Sequence, residues 1–332
     1  MAASAIKHTI AERRSSLASM SENELTLFVQ STDELSKLDF SGCDLSGMNL
    51  SGKDLRGAMF FRACLNEAHL AGADMEAAEM TGASLKEANL TGANLRFASL
   101  GHANLSGAIL FNACLDDALL SGANFHHADL RCASMRNARV QEADLREADL
   151  TQSTLCEANL EFADVKDAIF RAADLRGGYL NHVQHYGSAD WVGVDLRNIN
   201  FTGAYQLQRF IADQNYLNEF RSSGRLNQVL YWLWWATSDC GRSMLRWCIW
   251  ILVVILGFAA LYTVVSVDYG SHSSWMTPIY YSVVTLTSLG YGDVIPLSAT
   301  AQLIAMMEVI TGYIMLGGLL SILSNKFARR AA

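Results

Sequence analysis

Proline is nearly missing from this chain: Pro278 and Pro296 are the two in 332 residues. That excludes Pro-rich linkers and collagen-like structure. Charge is scarce as well, with 17% charged residues against 51% hydrophobic ones, the reverse of a disordered chain. Seven cysteines with no Cys-x-x-Cys pair are too few for a disulfide scaffold. The net charge of −8 offers no basic footing for a nucleic acid, and none is expected as a partner. Residues 1–30 hold no long apolar run, so no secretory signal peptide is expected. The sequence also lacks a phosphate loop, a nucleophile constellation and metal-ligand spacing. Neither an enzyme nor a cofactor is expected.

What is present divides in two. Residues 206–332 contain 8 Lys+Arg and 6 Asp+Glu, for +2; residues 1–205 contain 17 and 27, for −10. Five of the seven tryptophans crowd between Trp232 and Trp250. The acidic part repeats every five residues. All 29 positions divisible by five from Phe40 to Leu180 are Leu, Phe, Met or Val. Two residues before them, 23 of 24 sites from Ala58 to Ala173 are Ala, with Ser153 the exception. A period of five is neither helical nor alternating. It suits a coil that turns a corner in every unit, with a large side chain at the axis and an alanine admitting the next wall. Successive coils then hydrogen-bond to one another and the ends need caps.

The units Ala88–Asn89–Leu90, Ala93–Asn94–Leu95 and Ala103–Asn104–Leu105 resemble the pentapeptide-repeat family. The resemblance implies a right-handed quadrilateral β-helix with four units per coil, or about seven coils and a rod of roughly 35 Å. The phase slips between Asn181 and Asp190 and resumes one residue later at Trp191, Leu196 and Phe201. Ser21-x-x-Glu24 starts a short capping helix. His69, His102, His126 and His127 read as a solvated outer face. Apolar Met59, Ile109, Leu119 and Ile169 stand at normally polar sites. The outer face leaves room for an unidentified cytoplasmic ligand or protein.

The second part contains two apolar stretches. Trp247 to Val267 is 21 residues without a charge, enough to cross ~30 Å of hydrocarbon. Val294 to Asn325 is interrupted only by Glu308. Arg221, Arg225, Arg242 and Arg246 precede the first stretch, and Lys326, Arg329 and Arg330 follow the second, with no Lys or Arg between. The basic-flank rule then predicts a multi-pass protein of the cell membrane with both termini cytoplasmic. Leu226, Val229, Leu230 and Leu233 recur at helical spacing among Tyr231, Trp232, Trp234 and Trp235. That pattern predicts an amphipathic helix at the bilayer surface.

Between the stretches lies Thr287–Ser288–Leu289–Gly290–Tyr291–Gly292–Asp293, which resembles the potassium-channel filter. A dehydrated K⁺ needs rings of carbonyl oxygens, and alternate glycines allow the backbone those rings require. The resemblance implies that Ser288, Leu289, Gly290, Tyr291 and Gly292 hold the ion. Ser288 replaces the usual Thr and keeps its hydroxyl; Leu289 replaces the usual Val. Thr287, Asp293, Glu308 and the aromatic pair Tyr280 and Tyr281 would support the filter. Gly312 matches the family's inner-helix hinge, and Leu316, Leu320 and Ser324 would line the cavity and inner gate. Glu308, a carboxylate inside a span, is a functional candidate in its own right. It would either line the cavity or sit behind the filter bonded to hydroxyls such as Ser282 or Thr285.

The layout expected is therefore a helical cap at 1–37 and a β-solenoid at 38–205. A linker with the interfacial helix follows at 206–243. The all-α two-span membrane pore domain occupies 244–332, with outer helix 244–267, pore helix 275–287, filter 288–292 and inner helix 299–326. One filter per chain implies a homotetramer. The expected function is a K⁺-selective channel. The alternatives are a non-selective cation channel, a non-conducting membrane scaffold and a repeat-based interaction protein.

Overall fold

The computed structural model describes residues 17, 20–32, 35–199, 204–241, 243–270 and 274–331. Phe201, Arg242 and most of the expected cap ahead of Met20 lie outside these residues. The chain divides into two compact units, Met1–Asn218 and Glu219–Ala332.

The first unit is a quadrilateral solenoid. The residue before each core position bridges in parallel to the residue twenty further on, as in Asp39↔Met59 and Asn104↔Asn124. One coil is therefore four five-residue units. Each unit turns by a hydrogen bond from the alanine N–H to the preceding core carbonyl, as in Ala63 to Phe60 (3.0 Å). The residue just before that alanine takes a left-handed φ. Glycine fills that place at Gly72 and Gly92, while Glu87 and Asn112 adopt φ of 56° and 58°. Their N–H groups are still used, as in Glu87 to the Ser106 carbonyl (3.0 Å), which offsets the left-handed cost.

The axis is dry. The core Leu, Phe, Met and Val residues are completely buried, and rings stack along it, Phe40 on Phe60 (5.2 Å) and Phe170 on Trp191 (4.4 Å). Ser153, the one non-alanine, satisfies its hydroxyl on the Leu150 carbonyl (2.7 Å). The phase slip is a one-residue insertion: Asp164 bridges Gln184, but Ile169 bridges Asp190. The four apolar residues at normally polar sites form no single column. Met59 and Leu119 stand three coils apart in one column, and Ile109 and Ile169 three coils apart in another.

Both ends of the solenoid are covered. Helix α1, Glu22–Ser31, begins with a capping box at Ser21 and Glu24. It buries Leu25, Phe28 and Val29 in the same apolar cluster as Leu35 and Phe40. At the far end stands helix α2, Tyr205–Ser222, where the sequence led us to expect a linker. Leu207 and Ile211 join the solenoid core. Gln214 accepts the Trp191 N–H (2.6 Å) and Asn215 accepts the Gly193 N–H (2.7 Å). These two side chains satisfy donors that no further coil can take.

The second unit is built from helices. Helix α3, Arg225–Ser238, leaves Leu226, Val229, Leu233, Trp232 and Trp235 exposed. Helix α4, Met244–Tyr262, is followed by strand β1, Val267–Asp268; helix α5, Thr277–Leu286; strand β2, Ile295–Pro296; and helix α6, Ala299–Ala331. The outer helix thus stops at Tyr262, short of the expected 267. The β-branched run Thr263–Val264–Val265 resists helix, and Val267 instead pairs antiparallel with Pro296. Helices α4 and α6 are both long and apolar enough to cross a membrane.

Candidate functional site

The site grows from the C-terminus of α5. Pro278 lies in its first turn, where a missing N–H is harmless. Its last turn carries no basic residue, so the negative end of the helix dipole is left to favour a cation. Beyond Leu286 the chain folds back on that end. Thr287 Oγ1 donates to the Val283 carbonyl (2.7 Å), the Ser288 N–H to Thr285 (3.0 Å) and the Leu289 N–H to Val284 (3.0 Å).

From there the backbone alternates. Ser288, Gly290 and Gly292 have φ of 58°, 51° and 76°, with Leu289 and Tyr291 between them outside the left-handed region. Alternating hands turn successive carbonyls to the same side. Within one chain nothing lies within 4 Å of an added Cβ at Gly290 or Gly292, so what calls for glycine there is its φ. Ser288 takes the same φ without being glycine, at a cost of about 1–2 kcal/mol. The Tyr291 ring is 66% exposed and Leu289 59%, so one chain leaves this segment uncovered.

The residues expected to support the filter part company. The Tyr280 hydroxyl donates to Asp293 Oδ2 (2.8 Å) and ties α5 to the segment leaving the filter. Tyr281 turns the other way, buried edge-to-face against Tyr262 of α4 (4.6 Å). Glu308 is completely buried. Its carboxylate accepts from the Tyr262 hydroxyl (2.6 Å) and from the Ser282 hydroxyl. Ser282 also approaches the Ile255 carbonyl at 3.0 Å. This carboxylate thus pins α4, α5 and α6 together and does not line a cavity; Ser282, not Thr285, is its partner on α5. Sequence reasoning missed Tyr262, which lies 46 residues away.

Helix α6 runs unbroken through Gly312. A Cβ there would run into the Leu286 carbonyl at the end of α5, so this glycine permits close approach of two backbones. Gly318 plays a similar part for the Trp247 ring, whose Nε1 donates to the Met315 carbonyl (2.9 Å). Leu316, Leu320 and Ser324 are all exposed in the single chain.

Two membrane-length helices around a short helix and an alternating loop have the layout of a two-span pore domain. Comparison with known proteins agrees. Residues 249–329 match the ion channel family. Residues 39–76, 88–126, 108–146 and 141–177 match pentapeptide repeats, in eight copies. The chain therefore joins an N-terminal pentapeptide-repeat domain to a C-terminal ion channel domain, neither of them an enzyme family. A calcium-gated potassium channel of Thermoplasma volcanium is 33% identical over 75 residues, which are 22% of this chain and 22% of that protein. The chain thus spans under a quarter of the length of this curated relative. Among solved structures, a trypsin-treated QnrB1, a plasmid-mediated fluoroquinolone resistance protein, is 20% identical with a TM-score of 0.45. It covers 53% of this chain and 96% of its own. HetL, a pentapeptide-repeat protein of Nostoc sp. strain PCC 7120, is 27% identical with a TM-score of 0.25, covering 55% and 96%.

Proposed function

We propose that four copies of this chain form a potassium-selective channel in the cell membrane, with both termini cytoplasmic. The repeat domain serves assembly or gating and performs no catalysis. The observation that carries the reading is the left-handed φ at Ser288, Gly290 and Gly292, directly after a helix whose bare C-terminus favours cations. One chain supplies one wall of carbonyls, and a ring needs several walls. The carbonyls of Ser288, Leu289, Gly290 and Tyr291, with the Ser288 hydroxyl, would bind K⁺, and Gly292 completes the backbone alternation. Thr287 and Asp293 hold the two ends of the segment, and the Tyr262–Glu308–Ser282 bonds fix the helix behind it. Leu316, Leu320 and Ser324 would form the inner path. Similarity to a potassium channel over 75 residues supports the same ion.

The test is a reversal potential. Purified protein in planar bilayers, with K⁺ on one side and Na⁺ on the other, is expected to reverse far toward the K⁺ equilibrium value. Reversal near zero would replace this reading with a non-selective pore, and silence under all conditions with a scaffold.

A further inference from the structure

His126 and His127 follow the core residue Phe125 and form one outer corner of the solenoid. The backbone there is well fixed. His127 takes the left-handed corner φ of 58°, and its N–H donates to the Arg146 carbonyl of the next coil (3.1 Å). The twenty-residue period, marked here by the bridge Asn124↔Asp144, sets Glu147 one coil beyond His127. The Glu147 carboxylate reaches both rings. Oε1 lies 3.5 Å from His126 Nε2, and Oε2 lies 3.2 Å from His127 Nε2. The two rings meet edge to face with centroids 4.1 Å apart. One donor atom from each of the three residues falls within 4.8 Å of the others.

Two ligands at ~2.0–2.1 Å from a tetrahedral ion stand about 3.3 Å apart. His127 Nε2 stands 3.2 Å from one Glu147 oxygen and His126 Nε2 3.5 Å from the other, each near that value. We propose that His126, His127 and Glu147 form a binding site for a divalent cation of the Zn²⁺ class, joining two successive coils. Two imidazoles and one carboxylate suit Zn²⁺, Co²⁺, Ni²⁺ or Cu²⁺ and not the hard cations Ca²⁺ and Mg²⁺, which prefer oxygen donors throughout. The nearby cation, Arg146, is already neutralised: its Nε and Nη2 bond both oxygens of Asp144 at 2.7 and 2.6 Å. The side chains of His127 and Glu147 are 57% and 47% exposed, so an ion enters directly from water and water completes its coordination. This inference concerns the repeat domain alone and does not rest on the proposed ion selectivity.

The test uses full-length protein in detergent, freed of metal by a chelator and then titrated calorimetrically with ZnCl₂. One Zn²⁺ per chain is expected, with binding at least about tenfold weaker in both His127→Ala and Glu147→Gln. The variant His69→Ala, altered at a remote exposed histidine, is expected to bind as the parent does, and CaCl₂ to give no binding at this site. Zinc is also expected to raise the melting temperature of the parent, because the unfolded chain lacks the joined coils, and to leave that of both site variants unchanged. All three side chains lie outside the core, so the metal-free variants should melt as the parent does. Should His127→Ala not fold, Glu147→Gln alone carries the comparison. A parent that takes up no Zn²⁺, or site variants that bind it as tightly as the parent, would overturn the site.

Discussion

The two units reach order by different routes. In the repeat domain every large core side chain finds its cover inside the same chain: Leu105, Phe125 and Leu150 are completely buried. In the channel domain many large apolar side chains stand open. Leu252, Leu303 and Leu320 are 60%, 61% and 58% exposed, and so is most of the filter. A solenoid coil needs only the coil before and the coil after it. In the proposed tetramer a channel domain would have lipid on one side and its own copies on the other. The repeat domain is therefore covered by its own chain, while the proposed tetramer and the lipid would cover the rest of the channel domain.

The sharpest way to break that contrast is to disturb a backbone contact in the channel domain. Gly312→Ala drives a Cβ into the Leu286 carbonyl at the base of the filter. A carbonyl at a helix end cannot swing aside as a side chain does, so the change is expected to cost about 1–3 kcal/mol per subunit. Loss of tetramer on a heated native gel would show it. If Gly312 is only a hinge, the tetramer instead keeps its thermal stability and only the open probability changes.

A loss of similar size is expected from Tyr262→Phe. It removes one of the two hydroxyls that donate to Glu308 and leaves the carboxylate with Ser282. A buried acceptor deprived of a partner costs about 1–3 kcal/mol, more if charged. The loss should show in both the melting of the tetramer and filter function, since Ser282 belongs to the pore helix. Unchanged melting and unchanged K⁺ over Na⁺ discrimination would mean that these bonds do not hold the filter.

The sequence made the two domains legible to different depths, for the same reason that they fold differently. The repeat states its demand 29 times, so a single coil predicts all the others. The bonds on Glu308 are stated once, by Ser282 and by a tyrosine 46 residues away, and no period points to them. Helix α2 was hidden because its work is done by polar Gln214 and Asn215 on backbone donors, where an apolar stripe gives little notice. The pairing of Val267 with Pro296 was masked by the apolar run that reads as more helix. Glu147 could have been found: it lies one twenty-residue coil from His127, and the period was already in hand.

Acid is expected to sharpen the comparison from the other side. In the repeat domain Asp54, bonded by Arg56, is held down from its ordinary 3.8 to about 2. Arg176 and Arg197 likewise hold Asp174 and Asp195 low. A depressed carboxylate stabilises the fold above its unfolded pKa, and that stability is lost as pH falls through the folded value. Melting of the repeat domain should therefore be flat from pH 7 to pH 5 and decline between about pH 4 and pH 2. These pairs are exposed, so the effect is modest and fades with salt. A decline already complete at pH 5 would assign acid sensitivity to other groups.

The smallest effect is expected where the two domains are separated. Removing residues 1–218 deletes the first compact unit and leaves the filter, α5 and α6 intact. On the proposed reading selectivity lies in the carbonyls of Ser288–Gly292, so the reversal potential in opposed K⁺ and Na⁺ should not move. Open probability, tetramer yield or conductance at low salt should change, because the proposed cytoplasmic orientation would let this acidic domain raise the local cation concentration, an effect that salt screens. A shifted reversal potential would place part of the selectivity outside the filter. A truncated channel equal to the parent in all four measurements would instead assign the repeat domain to a partner elsewhere in the cell.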